Sequence, residues 1–290
     1  MARKAVWAVA ALAFALVACG SGASPTTTAA AQRSEELFED FESASFSGST
    51  EIDHRWLPMV PGTRLVYEGA TVVDGKDVPH RVVTTVTDLT KMIGEVRTLV
   101  LWEEDYEVDD LAEAELAFFA QDEAGNVWLM GEYPEEYVAG EIVATPAWIS
   151  GLQDARPGIL MPANPQVGTP SYSQGWGPAV EWYDRGQVSE DGLSDCVPVG
   201  CYEDVLAIDE FGLTEPNFFQ VKYYAPGLGV VRVGWKGPDP DQETLELVEI
   251  VQLTPEEMAE VRAAAFELEK RAYELNKAVY GTTPPAEPIS

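Results

Sequence analysis

Asp122 and Glu132 are the acidic residues of this sequence with the clearest potential for chemistry. They belong to one short stretch, residues 121–132, that also contains glycine, asparagine and tryptophan. Glycoside hydrolysis uses a pair of carboxyl groups, one as general acid and the other as base or nucleophile. The chain has 49 Asp and Glu residues, so a pair at a suitable separation also arises by chance. We favour the alternative in which Asp122 bonds its own turn and Glu132 pairs with a strand arginine, and we assign no catalytic residue.

The sequence gives little evidence for an enzyme that hydrolyses its substrate with a nucleophile and a base. His54 and His80 are the two histidines of the chain, and no Gly-x-Ser-x-Gly motif accompanies them. His54 follows Asp53, but no serine context supports a catalytic triad. His80 stands between Pro79 and Arg81 at the predicted start of a strand, where we expect an exposed side chain.

Three tryptophans, Trp128, Trp148 and Trp176, are candidate ligand-binding residues. Tryptophan stacks on sugar rings and lines apolar clefts. Trp148 and Trp176 lie in a segment rich in Gly and Pro, residues 140–178, and we expect them to be the most accessible. The alternative is that the aromatic side chains fill the concave side of a curved sheet.

Dense acidic runs occur at residues 103–105, 109–110 and 239–243. We expect them to form solvated strand ends and turns, which leaves weak cation binding open. Residues 122–126 are rich in oxygen ligands but lack the spacing of the EF-hand loop. The sequence therefore predicts no metal site and no cofactor.

Cys196 and Cys201 are separated by four residues that include Pro198 and Gly200. In an exported protein such an isolated pair indicates a disulfide across a tight turn. A zinc site would need two further ligands, and neither histidine has ligand spacing to the cysteines. The Cys-x₂-Cys spacing of thioredoxin-like redox proteins is absent.

The charge of the chain excludes one class of partner. The 290 residues carry a formal net charge of −31, with 18 Lys and Arg against 49 Asp and Glu. Binding to nucleic acid needs clustered basic residues that neutralise phosphates, so no nucleic-acid partner is expected.

The N-terminus predicts export and lipidation. Two basic residues, Arg3 and Lys4, precede an apolar run at residues 6–17 that is too short to span a bilayer comfortably. Residues 16–19, with sequence LVAC, resemble a bacterial lipobox. The resemblance implies a signal peptide at residues 1–18 and a diacylglycerol thioether on Cys19. The alternative is a plain secretory signal in which Cys19 is incidental.

Alternating β-branched and aromatic residues predict a mainly β domain. The predicted strands cover residues 63–73, 78–89, 96–106, 111–121, 127–130, 179–183, 202–208, 218–224, 229–235 and 244–253. Short turns, such as Asp74–Gly75, join successive strands and indicate an antiparallel meander. Residues 140–178 are expected to be a long irregular excursion over one end of the sheet. The predicted fold is a curved antiparallel sheet or partly open barrel with a C-terminal amphipathic helix packed on it.

The C-terminal helix is predicted at residues 255–280. Thr254 and Glu257 form a capping box, Pro255 occupies the first helical position, and an apolar stripe runs from Met258 to Val279. The width of the stripe favours packing on the sheet, and the alternative is a helix that docks a partner. The predicted organisation is a signal peptide, a tether at residues 19–33, one domain at 34–281 and a Pro-rich tail at 282–290.

Four sequence blocks resemble a family of secreted or lipid-anchored envelope proteins of high-GC bacteria. The blocks are residues 61–69 (PGTRLVYEG), 121–132 (QDEAGNVWLMGE), 157–163 (PGILMPA) and 222–229 (KYYAPGLG). The resemblance implies an envelope location and supplies no catalytic residue.

From these observations we expect a lipoprotein on the extracytoplasmic face of the cell membrane. Its expected role is non-enzymatic binding of a small apolar or glycan-like ligand, or of an envelope protein. The alternatives are a carboxylate-based hydrolase acting on envelope polymers and an assembly factor that docks through its C-terminal helix.

Overall fold

The computed structural model describes residues 38–214 and 217–289. The predicted signal peptide at residues 1–18, the lipidation site Cys19 and the tether to residue 33 lie outside the described residues. In the described part of the chain, no helix is both long enough and apolar enough to span a membrane.

The described residues form eighteen strands and one α-helix, α1 (Pro255–Leu275). The strands are β1 (Ile52–His54), β2 (Leu57–Met59), β3 (Thr63–Val73), β4 (Lys76–Ile93), β5 (Val96–Glu107), β6 (Asp110–Gln121), β7 (Val127–Val138), β8 (Glu141–Ala144), β9 (Trp148–Ile149), β10 (Arg156–Met161), β11 (Tyr172–Ser173), β12 (Gly175–Trp176), β13 (Asp184–Val197), β14 (Gly200–Gly212), β15 (Phe219–Ala225), β16 (Gly229–Lys236), β17 (Thr244–Gln252) and β18 (Glu287–Pro288).

One antiparallel sheet curls until its two edges meet through a short segment of chain. The strand order is β11-β13-β14-β15-β16-β17-β3-β4-β5-β6-β7-β10-β12. Gln174 alone separates β11 from β12, and these two short strands pair with opposite edges: Tyr172 with Gly186 on β13, and Trp176 with Arg156 on β10. Because residues 172–176 bridge both edges, the sheet is a nearly closed barrel. The predicted mainly β fold with a packed C-terminal helix is confirmed.

Short turns set the register of the meander, as the sequence predicts. Asp74 and Gly75 both adopt positive φ, 51° and 71°, in the turn between β3 and β4. This conformation matches the right-handed twist of a hairpin and is accessible to Asp and Gly. The ten-pair ladder that follows, from Val73–Lys76 to Arg64–Thr85, runs without interruption.

The structure corrects two predictions for the middle of the chain. Residues 140–178 contain the short strands β8–β12, of which β8, β9 and β10 pair with β7, so the segment belongs to the sheet. Residues 179–183 do not form a strand; a 3₁₀ turn at Pro178–Val180 precedes β13. Strand β13 itself was not predicted, because its sequence (DRGQVSEDGLSDCV) is rich in Gly and acidic residues and its ladder with β14 contains bulges.

Helix α1 packs its apolar stripe on the outer face of the sheet. Thr254 and Glu257 form the predicted capping box. The stripe is buried at five apolar positions: Met258, Val261, Ala265, Leu268 and Ala272. Leu268 and Ala272 pack with Leu116 and Phe118 of β6. The stripe is thus covered by the chain itself, which supports packing on the sheet over partner docking.

The helix ends at Leu275, not at residue 280 as the sequence predicts. Asn276 terminates it, because its side-chain oxygen accepts hydrogen bonds from the backbone N–H groups of Val279 and Tyr280 and turns the chain. Tyr280 then folds back and buries its ring against Tyr133, with centroids 5.1 Å apart. The apolar periodicity of the sequence continues past Leu275 because Val279 and Tyr280 still contribute to the core.

A buried ion pair fastens the helix and the tail to β4. Lys91 Nζ lies 2.8 Å from Glu269 Oε1, and both side chains are almost fully buried. The ammonium also donates to the carbonyl oxygen of Pro284 at 2.6 Å. Tyr280 donates its hydroxyl to Glu269 at 3.0 Å. The predicted tail at 282–290 is therefore tied down, and its strand β18 pairs with β4.

Cys196 and Cys201 stand opposite each other in the hairpin between β13 and β14. Their sulfur atoms are 2.11 Å apart in a disulfide. Arg232 of β16 donates to Asp195 at 2.8 Å and to the carbonyl oxygen of Cys196 at 2.9 Å. These bonds dock the disulfide hairpin onto the neighbouring strands.

Candidate functional site

Alternation along β5 and β6 sends acidic side chains to the inner face of the barrel. Directly opposed residues in an antiparallel ladder share a face, and so do residues two positions apart on a strand. Glu103 opposes Glu115, and Asp105 opposes Glu113. Ala114, which lies between Glu113 and Glu115 and points the opposite way, packs in the cluster beneath helix α1 on the outer face. Glu103, Asp105, Glu113 and Glu115 therefore all face inward.

These four residues form a square of carboxylates, which we call the carboxylate square. Opposed residues of such a ladder have Cβ atoms about 5 Å apart, and residues two positions apart along a strand are separated by about 7 Å. Like charges at directly opposed positions destabilise a sheet. The repulsion between these carboxylates therefore destabilises the sheet unless the carboxyl groups are protonated or a positive charge lies nearby.

The opposite wall of the barrel adds a second group of inward polar residues. Ile208 of β14 opposes Lys222 of β15, and Glu210 opposes Gln220. Ile208 belongs to the apolar cluster inside the barrel, which also contains Leu99 and Phe119 of β5 and β6. The interior is therefore apolar at one end and polar at the other. We call the polar end the acidic lumen; it is lined by Glu103, Asp105, Glu113, Glu115, Glu132, Asp184, Glu210, Glu243, Lys222 and His80.

Burial within the lumen raises the pKa of its carboxyl groups. It raises the pKa of Glu103 to about 7, with nearby Lys222 opposing the change. The pKa of Glu113 rises to about 8 through burial and then through the charges of Glu103 and Asp105. Burial and then the charge of Glu132 raise the pKa of Glu115 well above its ordinary value. All three side chains nevertheless keep part of their surface accessible, as expected of groups that line a recess reached by solvent.

Lys222 provides positive charge on the wall opposite the carboxylate square. Its Nζ lies 2.8 Å from Glu210 Oε2, and the lysine side chain is 28% exposed. Burial acts to lower the pKa of Lys222, but the charge and hydrogen bond of Glu210, together with the charges of Glu103 and Glu243, outweigh burial and the pKa is raised. Gln174, in the segment that closes the barrel, donates to Glu210 at 2.9 Å. Glu210 is therefore held from two elements.

Tyr172 has a buried hydroxyl group that finds no hydrogen-bond partner among the residues that the structure describes. The residue is 7% exposed and its hydroxyl is fully enclosed. Its ring crosses the inward side of Gly186, where a Cβ atom would lie 2.8 Å from the phenol oxygen. Glu210, Tyr224 and Lys222 are among the groups whose charges act on it. The phenol thus points into the acidic lumen with an unused donor and acceptor.

His80 is buried, which corrects the expectation of an exposed histidine. It is 6% exposed because β4 extends four residues beyond it toward the β3–β4 turn and places it on the inner face. Its Nε2 lies 2.6 Å from Asp105 Oδ1. Its Nδ1 lies 3.2 Å from Glu243 Oε1, off the direction that a hydrogen bond needs. Burial lowers its pKa, but Asp105 and Glu243 outweigh burial, so the pKa of His80 is raised.

Two of the predicted ligand-binding residues, Glu132 and Trp148, meet at the lumen. Trp148 donates its indole N–H to Glu132 Oε2 at 2.7 Å, so the partner of Glu132 is a tryptophan and not the strand arginine. Burial raises the pKa of Glu132 to about 7, and the hydrogen bond from Trp148 opposes that rise. Trp148 is 3% exposed and stacks on Trp182, with centroids 4.8 Å apart. The expectation of an accessible Trp148 is therefore wrong.

The other predicted residues lie outside the lumen. Asp122 accepts hydrogen bonds from the backbone and side-chain amides of Asn126 and from the indole of Trp128, each at 2.8 Å. These bonds close a turn and bury Trp128, which packs against Phe41. Trp176 stands apart from them, at the segment that closes the barrel.

Trp176 is half-buried. Its ring contacts Phe38 and Tyr183, with centroids 5.2 and 4.2 Å away. These contacts pack the start of the described chain against the closing segment. We therefore interpret Trp128, Trp176 and Asp122 as structural residues.

Two of the acidic runs that we expected to be solvated contribute carboxyl groups to the lumen. Glu103 and Asp105 come from the first run and Glu243 from the third. The available sequence signal is the period of two: Glu103-x-Asp105 on one strand and Glu113-x-Glu115 on the next, joined by a short turn. The carboxylates are spread along the strands, and among residues 38–214 and 217–289 no three His, Cys, Asp or Glu side chains converge to hold a metal ion.

Comparisons with known proteins give structural neighbours only. No family model matches the chain, and a search of curated proteins found no match. One neighbour is a crystal structure from Bacteroides fragilis, described as an exported protein with a YmcC-like fold; it has 13% identity and a TM-score of 0.39. A second, described as a lipoprotein of Parabacteroides distasonis, has 13% identity and a TM-score of 0.31. Each alignment covers 68% of this chain and 99% of the neighbour.

Proposed function

We propose that this protein is a lipid-anchored binding protein of the cell envelope that holds a polar ligand in its acidic lumen. The observation that carries the proposal is the inward-facing polar end of the barrel, which combines partly accessible carboxyl groups on β5 and β6 with the buried hydroxyl of Tyr172, a group with no hydrogen-bond partner among the described residues. A structural core has no need for such groups, because buried polar atoms are normally satisfied by hydrogen bonds.

The anchor is supported by the N-terminal sequence. Basic residues, a short apolar run and the lipobox-like residues 16–19 precede a small-residue tether. A diacylated cysteine would give firm attachment, because two acyl chains hold far more strongly than one. The substitution Cys19→Ser tests this directly: we expect the variant to leave the membrane fraction, and retention in that fraction would contradict the anchor.

The chemistry of the lumen favours a polar ligand over an apolar one. An apolar ligand would place hydrocarbon against Glu103, Glu115 and Glu132, and burying carboxyl groups without hydrogen bonds is costly. The apolar end of the interior is filled by the side chains of Leu99, Phe119 and Ile208. Of the ligand classes expected from the sequence, the glycan-like one is compatible with this lining.

Native mass spectrometry of the full-length lipoprotein, purified from its own host in detergent, tests the proposal. We expect a stoichiometric polar adduct that is lost on unfolding. The same adduct should be lost or weakened in Glu115→Gln and retained in Glu249→Gln, a matched substitution on the exposed outer surface of β17. A bare mass for the native protein, or an adduct equally present in both variants, would overturn the proposal.

A second candidate function, hydrolysis of envelope polymers, is favoured by one pair of residues. Burial and then the charge of Glu210 raise the pKa of Asp184 to about 7, while Glu210 forms its ion pair with Lys222. A carboxyl group that keeps its proton beside an ionised carboxylate is the arrangement used in acid–base catalysis. If this candidate holds, Asp184→Asn should lower polymer cleavage by about a hundredfold or more, with Glu249→Gln unchanged.

A further inference from the structure

We propose that the ligand of the acidic lumen is an organic cation with more than one ammonium group, of the linear polyamine type. This inference rests on the proposed function and names the ligand class for the same site. It is carried by the carboxylate square, by the imbalance of charge around it and by the unpartnered phenol of Tyr172.

The lumen has a surplus of negative groups. In the described ranges, Lys222 pairs with Glu210 and His80 with Asp105, while Glu103, Glu113 and Glu115 form no ion pair. A buried charge is tolerated when it is paired, and is otherwise neutralised by a proton. A cationic ligand would supply the missing partners and replace those protons.

The spacing of the square fits several small cations in a row better than one ion. The four Cβ positions are separated by about 5 Å across the ladder and about 7 Å along each strand. These separations resemble those of successive ammonium groups on a short-linked alkyl polyamine. A single divalent ion needs several oxygen ligands converging on one point, and no three such side chains converge in the part of the chain that the structure describes.

Tyr172 gives independent support for an occupant. A phenol that is buried and unpartnered costs free energy unless a ligand or water completes its hydrogen bonding. Its oxygen can accept an N–H donor or donate to another polar group. Its ring lies over Gly186, which opposes Glu210 in the β13–β14 ladder, so the phenol stands on the wall of the barrel opposite the square. An elongated ligand would reach both.

The ammonium of Lys222 sets the direction of such a ligand. Like charges repel, so the cationic groups should lie at the square and away from the Lys222–Glu210 pair. Removal of the lysine charge should therefore strengthen binding, whereas removal of a carboxylate should weaken it. The tightening on removal of the lysine charge is specific to a cationic ligand, because the ammonium group of Lys222 does not repel a neutral ligand.

Titration calorimetry with spermidine, on the full-length lipoprotein in detergent, tests the ligand class. We expect binding to be about tenfold or more tighter at pH 8 than at pH 6, because lumen carboxyl groups ionise in that range. We also expect proton release, seen as a dependence of the binding enthalpy on the ionisation enthalpy of the buffer.

Variants locate the site. Glu115→Gln should weaken spermidine binding about tenfold, Lys222→Met should tighten it, and Tyr172→Phe should weaken it without lowering thermal stability. Glu249→Gln is the control and should bind as the native protein does. Equal effects of Glu115→Gln and Glu249→Gln would show diffuse surface attraction and would overturn the inference.

Binding tests with neutral oligosaccharides and with calcium distinguish a wrong ligand class from a wrong proposed function. Binding of a neutral oligosaccharide or of calcium, weakened by Glu115→Gln, with no response to spermidine, overturns the polyamine and keeps the lumen as a binding site. If spermidine, oligosaccharide and calcium all fail to bind and the host-purified protein has a bare mass, both proposals are wrong.

Discussion

Glu103 and Glu115 face each other directly across the β5–β6 ladder, with both side chains on the inner face of the barrel. Sheets normally avoid like charges at opposed positions. Here the opposition is repeated one step along the strands by Asp105 and Glu113. Burial raises the pKa of Glu103 to about 7 and that of Glu115 well above its ordinary value, so both hold protons in weakly acidic solution.

The ligand-free protein should lose stability as the pH rises from about 5 to about 8. The carboxyl groups of Glu103, Glu113 and Glu115 bind protons more tightly in the folded than in the unfolded state. Above the unfolded pKa the folded state holds more protons, so the free energy of unfolding falls until the folded pKa is passed. Because solvent reaches the lumen, we expect a total loss of roughly 2–4 kcal/mol.

Urea unfolding at pH 5 and pH 8 measures this loss. Glu115→Gln should stabilise the protein at pH 8 by about 1–2 kcal/mol and change it little at pH 5, because the native glutamate is already protonated there. Glu249→Gln should behave as the native protein at both pH values. A stability that is constant or rises between pH 5 and pH 8 would contradict the assignment of raised pKa values to the lumen.

Lys222→Met should destabilise the protein at pH 8 by about 2 kcal/mol, because Glu210 loses its ammonium partner in a mostly enclosed position. The loss also raises the pKa of Glu103 above about 7, since Lys222 opposes the effect of burial on it. Chemical denaturation measures the change. The double variant Lys222→Met/Glu210→Gln should recover most of the stability, and failure to recover would show that Lys222 acts mainly through packing.

The sequence alone predicts several local features of the fold correctly, but it does not predict the acidic lumen. Asp74–Gly75 and the capping box at Thr254 depend on neighbouring residues, and both form as predicted. Which face of β5 and β6 is interior depends on helix α1, far along the chain, and on the segment around Gln174 that joins the two sheet edges. Without those long-range contacts, the period of two in the acidic residues predicts a solvated face as readily as a lumen.

Lys91→Met should destabilise the protein by about 3–5 kcal/mol, because it leaves Glu269 as an unpaired carboxylate in the core between helix α1 and β4. The double variant Lys91→Met/Glu269→Leu removes both charges and should recover a large part of the loss. Thermal unfolding of the three proteins measures the coupling between the two residues. Equal destabilisation in the single and double variants would mean that the other bonds of Lys91, such as the one to Pro284, dominate.

Trp148→Phe should raise the pKa of Glu132 above about 7, because the indole N–H is the hydrogen bond that opposes burial. Phenylalanine keeps an aromatic ring beside Trp182 but cannot donate to the carboxylate. We expect a loss of stability at both pH values, because the smaller ring leaves a cavity at a buried position, and a loss about 1–2 kcal/mol larger at pH 8 than at pH 5, where Glu132 is protonated in both proteins. An NMR titration of the glutamate side-chain carboxyl carbons, with Glu132→Gln to identify the signal, measures the pKa. A pKa for Glu132 that is unchanged or lower in Trp148→Phe would show that the hydrogen bond does not set its ionisation, and would remove Trp148 from the group of residues that control the charge of the lumen.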